Sequence, residues 1–206
     1  MSTATLAPPK IPSAAYEPQP YRWTCDEFHD LGDRGYFDGQ RAMLIDGEIL
    51  TMPMANPAHN LALNKTYEVL RARFAGGHHV RNQMALDVGL ANDPGPDLAV
   101  VAGSFEDYAD RQATTAVLVV EIADSSLAFD RGPKSNLYAA ANVQEYWVLD
   151  LNGRQLFAYR DPIADADAPR GFRYATVLMY AASDRVVLPT VLQDSVAVAE
   201  LLPKSR

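Results

Sequence analysis

Residues 115–123 read Thr-Ala-Val-Leu-Val-Val-Glu-Ile-Ala (TAVLVVEIA), and this stretch decides the architecture. It is rich in β-branched residues and apolar on both faces. A strand of that kind belongs in the interior of a sheet covered on both sides. Residues Val117–Ile122 are therefore expected to form an interior strand with Val119 buried. One residue breaks the pattern. Glu121 is a charge inside an apolar strand, which costs roughly several kcal/mol unless it is paired or binds a metal.

Elements of both kinds flank this strand. Thr24 can cap a short helix that runs to about Leu31, with Gly32 and Gly35 ending it. Met43–Met52 is apolar around Asp46-Gly47, a hairpin turn signal. Asn56 as cap and Pro57 in the first turn open a longer helix. Its buried stripe is Leu63, Tyr67, Leu70 and Phe74, and Gly76-Gly77 closes it. Val80–Leu90 reads as a strand alternating through Met84, Leu86 and Val88. A turn at Asn92-Asp93-Pro94-Gly95 leads into a short strand, Leu98–Val101. Beyond the central strand, Asp130–Asn142 is expected to be helical and capped at Asp130, with Leu137, Tyr138 and Ala141 inward. Glu145–Leu151 and Gln155–Arg160 form a hairpin about Asn152-Gly153. Asp161–Arg170 reads as a polar loop. Phe172–Tyr180 and Val186–Leu188 are late strands, and Ser195–Leu202 is a short terminal helix. The mixed order implies an α/β fold with a central mixed sheet flanked by helices.

The 206 residues favour one large domain over two small ones. Five prolines among the first 20 residues mark an extended arm, so the expected division is an arm over 1–22 and one domain over 23–206. A single cysteine, Cys25, excludes an intrachain disulfide and a Cys-based zinc site. No segment reads as a membrane span or a secretory signal, and the expected location is the cytoplasm. The net charge of −8 argues against a broadly basic nucleic-acid binder, although a local basic groove can coexist with an acidic remainder. Lys65, Arg71, Arg73, His78, His79 and Arg81 cluster near the end of the long helix. They suit either a phosphate-binding edge or a solvated helix end.

Several polar residues are candidates for chemistry. Asp97 follows Pro96 at the mouth of a strand. Lys134 lies four residues from both Asp130 and Tyr138, on one helical stripe. His59 stands in the first turn of the long helix, where a backbone-bonded structural role is also open. Ser125 and Ser126 lack the G-x-S-x-G setting of a serine hydrolase.

Pro96-Asp97, the apolar strand ending in Glu121-Ile122, Asp130-x-x-x-Lys134-x-x-x-Tyr138 and Glu145-Tyr146-Trp147 together resemble the PD-(D/E)xK nuclease superfamily. More narrowly, the string VVEIADSSLAFDRGPKSNLYAAANVQEYWVLDL, residues 119–151, is similar to the Uma-type restriction-endonuclease-like family. Leu44-Ile45-Asp46-Gly47-Glu48 followed by Pro57 and His59 matches that family's N-terminal block. The resemblance spans about residues 23–202. It implies a restriction-endonuclease-like fold and a Mg²⁺- or Mn²⁺-dependent endonuclease acting on DNA. It implies Asp97 and Glu121 as metal ligands, Asp97, Glu121 and Lys134 as the catalytic set, and the Ile122 carbonyl as a further ligand.

Two positions depart from the pattern. Ala123 occupies the superfamily's usual lysine position, so the resemblance implies that Lys134 supplies the amine from the next helix. Met43 stands where the family often has a glutamate, which leaves Glu48 and His59 as candidates for supporting roles. Arg131 is the rival to Lys134 on that helix. Lys134→Ala is expected to remove activity and leave folding intact. Magnesium suits two carboxylates because it retains several waters. A homodimer is expected, since two sites on a two-fold axis suit cutting both strands of a duplex. Another reading remains open. The acidic charge and the displaced lysine favour a nuclease fold that has lost cleavage and serves as a binding or regulatory module. A small-substrate metal hydrolase is a third reading.

Overall fold

The computed structural model describes residues 18–74, 76–89, 91–189 and 194–204. Most of the expected N-terminal arm, and Leu90, lie outside the described residues.

The first helix, α1 (Cys25–Asp33), starts as its cap dictates. The Thr24 side chain accepts from the Glu27 N–H, and the Glu27 carboxylate accepts from the Thr24 N–H, a reciprocal capping box. The helix runs through Gly32, the expected end, and stops at Arg34. Strands β1 (Arg41–Ile45) and β2 (Glu48–Met52) pair antiparallel about Asp46-Gly47. Both turn residues have positive φ, 51° and 72°, as this tight turn requires.

Gly47 is also packed closely. A Cβ there would stand 2.9 Å from Arg22 Cβ and 3.1 Å from the Trp23 carbonyl oxygen. Its own carbonyl accepts the Trp23 N–H at 2.9 Å. Gly47→Ala is therefore expected to cost roughly 2 kcal/mol and to lower the melting temperature by about 4–8 °C. Unchanged thermal unfolding would show that the turn is not constrained in this way.

Helix α2 (Pro57–Arg73) has Pro57 in its first turn, and its Asn56 cap accepts the His59 N–H at 2.9 Å. Strand β3 (His78–Asn82) is shorter than the expected Val80–Leu90. Gln83 takes φ 50°, a left-handed turn that ends the ladder, and only an isolated bridge at Leu86 follows among the described residues. Strands β4 (Leu98–Ala102) and β5 (Leu118–Ala123) come next.

The following helix begins earlier than Asp130. It comprises α3 (Leu127–Phe129), a π-helical turn (Asp130–Lys134) containing Pro133, and α4 (Ser135–Ala140). Ser126 precedes it and its hydroxyl donates to Asp130, so Asp130 is an interior residue rather than the cap. Strand β6 (Glu145–Asp150) turns into β7 (Gln155–Ala164), which pairs with β8 (Phe172–Ala181) along its whole length. The polar loop expected from Asp161 thus starts late. β6 pairs with β7 only as far as Arg160, so the missing N–H of Pro162 leaves no ladder bond unmade on that side. β9 (Arg185–Val187) pairs with β10 (Ser195–Ala197), and α5 (Val198–Leu201) follows. The expected terminal helix over 195–202 is therefore part strand.

The main sheet has the order β3-β4-β5-β6-β7-β8, antiparallel except for the parallel pair β5-β6. β5 is interior and all six of its residues are buried, Val119 completely. Alternate residues face opposite sides. Leu118, Val120 and Ile122 pack with Leu63, Leu70 and Phe74 of α2 and with Val198 and Leu201 of α5. Val119 and Ala123 pack with Tyr138 and Ala139 of α4. Glu121 shares their parity, so it projects toward the helical layer that carries Lys134. Among the described residues no helix is long and apolar enough to cross a membrane.

Candidate active site

The register of the sheet brings the two key carboxylates together. The last ladder pair of β4 and β5 is Leu98↔Val120. One step further stand Asp97 and Glu121, neighbours across the end of the ladder. Both line one cleft of about 440 Å³ with Lys134, His59, Arg41, Met43, Asp124, Ser126 and Asp130. The β1-β2 hairpin supplies one wall and the start of α2 another.

Asp97 is only 2% exposed. Its Oδ2 accepts the Ile122 N–H at 2.9 Å and meets His59 Nε2 at 3.1 Å. Its Oδ1 accepts from Arg41 Nη2 at 3.1 Å and from Gln83 Nε2 at 3.5 Å. Burial works to raise its pKa, but His59, Arg41 and the Ile122 N–H outweigh that and hold it at about 2. Asp97 is thus a carboxylate kept ionised.

Glu121 is equally buried and in the opposite condition. Burial pushes its carboxyl up to about 7, with Lys134 opposing the rise and the charge of Asp97 adding to it. Lys134 Nζ stands 2.8 Å from Glu121 Oε1 and 3.7 Å from Asp130 Oδ1. Burial pulls the amine's pKa down, but Glu121 and Asp130 more than compensate and the net direction is up. The Tyr138 hydroxyl donates to the same Glu121 Oε1 at 2.7 Å, and burial followed by that carboxylate raises it well above the ordinary phenol range. Both contacts fall on Oε1. Among the described residues no hydrogen bond reaches Oε2.

The residues expected from the sequence divide clearly. Asp97, Glu121, Lys134 and His59 converge. Arg131 does not: its Nε donates to Tyr159 at 3.0 Å and its guanidinium lies over the Phe157 ring, 3.7 Å from the centroid. Glu48 also stands apart. It lies on the exposed hairpin, paired with Arg22, and does not line the cleft. The turn at Gly47 points the start of β2 outward, which corrects its assignment to a supporting role. Met43 does line the cleft, so a thioether takes the wall position where the family often has a carboxylate.

Of the two readings of the basic residues near the end of α2, the structure gives little support to a phosphate-binding edge. Arg73 is paired with Asp194, Arg71 with Glu68, and Lys65 donates to the Leu202 carbonyl. Arg81 is buried against Gln112 and the Ala85 carbonyl, and His79 packs on Phe105 and Tyr108. Arg73, Lys65 and Arg81 thus serve the fold, while Arg71 forms an exposed pair on the helix surface. Arg41, which nothing in the sequence singles out, is the cation that reaches Asp97. A lone arginine at the start of a strand carries no local signal of that reach.

A divalent cation can be tested against this donor set. Among the described residues no group of three His, Cys, Asp or Glu side chains is arranged to hold one ion. Two carboxylates are present, one held ionised and one with an oxygen free of hydrogen bonds. They fit a magnesium-like ion, which binds through one or two carboxylates and keeps its waters. They do not fit a metal that needs a full protein cage. His59 Nδ1 is buried without a hydrogen-bond partner, a polar atom in the cleft wall that the fold itself does not use.

No curated protein matches the sequence. A solved structure from Anabaena variabilis ATCC 29413, titled as a "putative nuclease belonging to DUF820", superposes with a TM-score of 0.65 at 15% identity, covering 86% of this chain and 96% of that one. At that identity the match establishes the restriction-endonuclease-like fold. The Uma2 family model, described as "Putative restriction endonuclease", matches residues 25–199, which take in the hairpin, the sheet and every residue of the cleft. With that span matched, the chain belongs to the Uma2 family.

Proposed function

We propose that this chain is a divalent-metal-dependent endonuclease that hydrolyses DNA phosphodiester bonds, with Mg²⁺ or Mn²⁺ as cofactor. The observation that carries the reading is the buried Lys134–Glu121 pair set beside an ionised Asp97 at the floor of an open cleft. A buried ion pair is poor value for stability alone. Its place at a cleft beside a second carboxylate supports reading the cleft as a functional site.

Asp97 and Glu121 would hold the cation. When bound, such an ion activates a water and neutralises phosphate charge. The chain's own groups do the rest. Lys134 counters the burial of Glu121 and favours its charged form. Tyr138 fixes the Glu121 carboxylate by the same oxygen, and the Ile122 N–H and His59 fix Asp97. The Lys134 ammonium also places fixed positive charge at the cleft floor, where negative charge would develop in the reaction. We place the active protein in the cytoplasm as a homodimer acting through residues 23–206, one site for each strand.

The inactive-module reading, which the acidic charge and the displaced lysine favour, gains one structural observation: Arg73, Lys65 and Arg81 are engaged within the fold. The test is incubation of supercoiled plasmid with the protein in Mg²⁺, Mn²⁺ or EDTA. Nicking or linearisation in the metal-containing samples alone is expected. Intact plasmid under all conditions, with the protein folded, would favour the binding module.

A further inference from the structure

We infer that Arg41 occupies the cation's place at Asp97 and turns to the substrate phosphate when the cation binds. The inference rests on the metal-nuclease reading above and adds a residue to it.

A carboxylate offers about four lone-pair sites, and Asp97 has four donors around it. Ile122 N–H and His59 Nε2 meet Oδ2, while Arg41 Nη2 and Gln83 Nε2 meet Oδ1. Oδ2 is taken by two fixed donors, so a cation that binds through Oδ1 meets Arg41, the one donor within 3.1 Å of that oxygen. The Ile122 N–H is fixed in β5. His59 is buried in the first turn of α2, behind the Asn56 cap. Gln83 at 3.5 Å lies at the limit of a hydrogen bond. Arg41 can move: its side chain is 22% exposed on the first residue of β1, against 3% for the Asp97 side chain it meets. It is also the donor a cation would expel, because like charges repel at a shared oxygen.

The released guanidinium remains at the cleft. Arg41 borders both the carboxylate cleft and the neighbouring depression formed with Gln83, Pro94 and Gly95. Its planar fork matches a phosphate through two parallel hydrogen bonds. One side chain thus neutralises Asp97 before the cation arrives and serves the substrate afterwards. The two states are linked, so removing the guanidinium favours cation binding and disfavours DNA binding.

The experiment titrates Mn²⁺ calorimetrically into the full chain and into Arg41→Ala and Arg41→Gln, and measures KM for plasmid cleavage in parallel. Mn²⁺ is expected to bind about tenfold more tightly in Arg41→Ala, while KM for DNA rises. A merely structural arginine would weaken both. Arg41→Gln keeps a polar side chain of similar reach without the charge, and it carries the test if the alanine variant unfolds. Mn²⁺ affinity unchanged or weakened in a folded variant overturns the inference while leaving the nuclease reading intact. Absence of Mn²⁺ binding in all three proteins removes the metal reading, and the inference with it.

Discussion

Lys134→Ala is expected to lower DNA cleavage by about 10²–10³-fold and to destabilise the protein as well. The first effect follows from position. The amine lies 2.8 Å from Glu121 Oε1 at the floor of the cleft, and no lysine stands at residue 123 to replace it. The second follows from burial. The Lys134 and Glu121 side chains are 2% and 3% exposed. Removing the ammonium leaves Glu121 and Asp130 buried beside each other without their cation. Breaking a buried pair in this way costs roughly 3–5 kcal/mol, so the melting temperature should fall by about 10 °C or more. The burial of the pair thus argues against the expectation, drawn from the sequence, that folding is untouched. Lys134→Met fills the same space without charge and should lose cleavage to the same extent. Arg131→Ala should leave cleavage little changed, because Arg131 is engaged with Tyr159 and Phe157. Cleavage retained by a folded Lys134→Met would end the assigned role.

Asp97→Asn is expected to be as damaging to cleavage and gentler on the fold. Asparagine has the shape of aspartate but one acceptor oxygen. That oxygen is needed by the Ile122 N–H and His59, which are buried and cannot turn away. The new amide group then faces Arg41, which is exposed enough to swing into the cleft. The fold should lose roughly 1–3 kcal/mol. The site, however, loses its one firmly ionised carboxylate and with it the cation, worth several kcal/mol in the transition state, or about 10³-fold in rate. Kinetics and thermal unfolding on the same preparation separate the two effects. A variant that keeps near-normal cleavage would remove Asp97 from the metal site.

Much of the fold, and the oddity of Glu121, are legible in the residues themselves, whereas Asp97 and Lys134 are singled out by the family resemblance. TAVLVVEIA announces an interior strand because both of its faces are apolar. Glu121 stands out against it for the same reason, since a charge in such a strand has few bland explanations. Thr24 and Asn56-Pro57 mark helix starts by local chemistry, and the helices begin there. What the residues do not disclose is what depends on distant chain. Arg73 and Lys65 look free because their partners, Asp194 and the Leu202 carbonyl, lie more than 100 residues away. Asp130 looks like a cap because aspartate is a common cap and Pro133 follows it closely. A π-turn absorbs that proline in mid-helix, and Asp130 joins Lys134 instead. The left-handed turn at Gln83 is not written in hydrophobic periodicity, so the pattern over 80–90 overstates the strand. Arg41 reaches Asp97 across 56 residues, a contact that no spacing rule supplies.

The most direct measurement is calorimetric titration of Mn²⁺ into the wild-type chain and into Asp97→Asn. One ion per chain is expected for the wild type, with no measurable binding by the folded variant. No binding by the wild type, or equal binding by both proteins, would contradict the assignment of Asp97 and Glu121 as a metal centre.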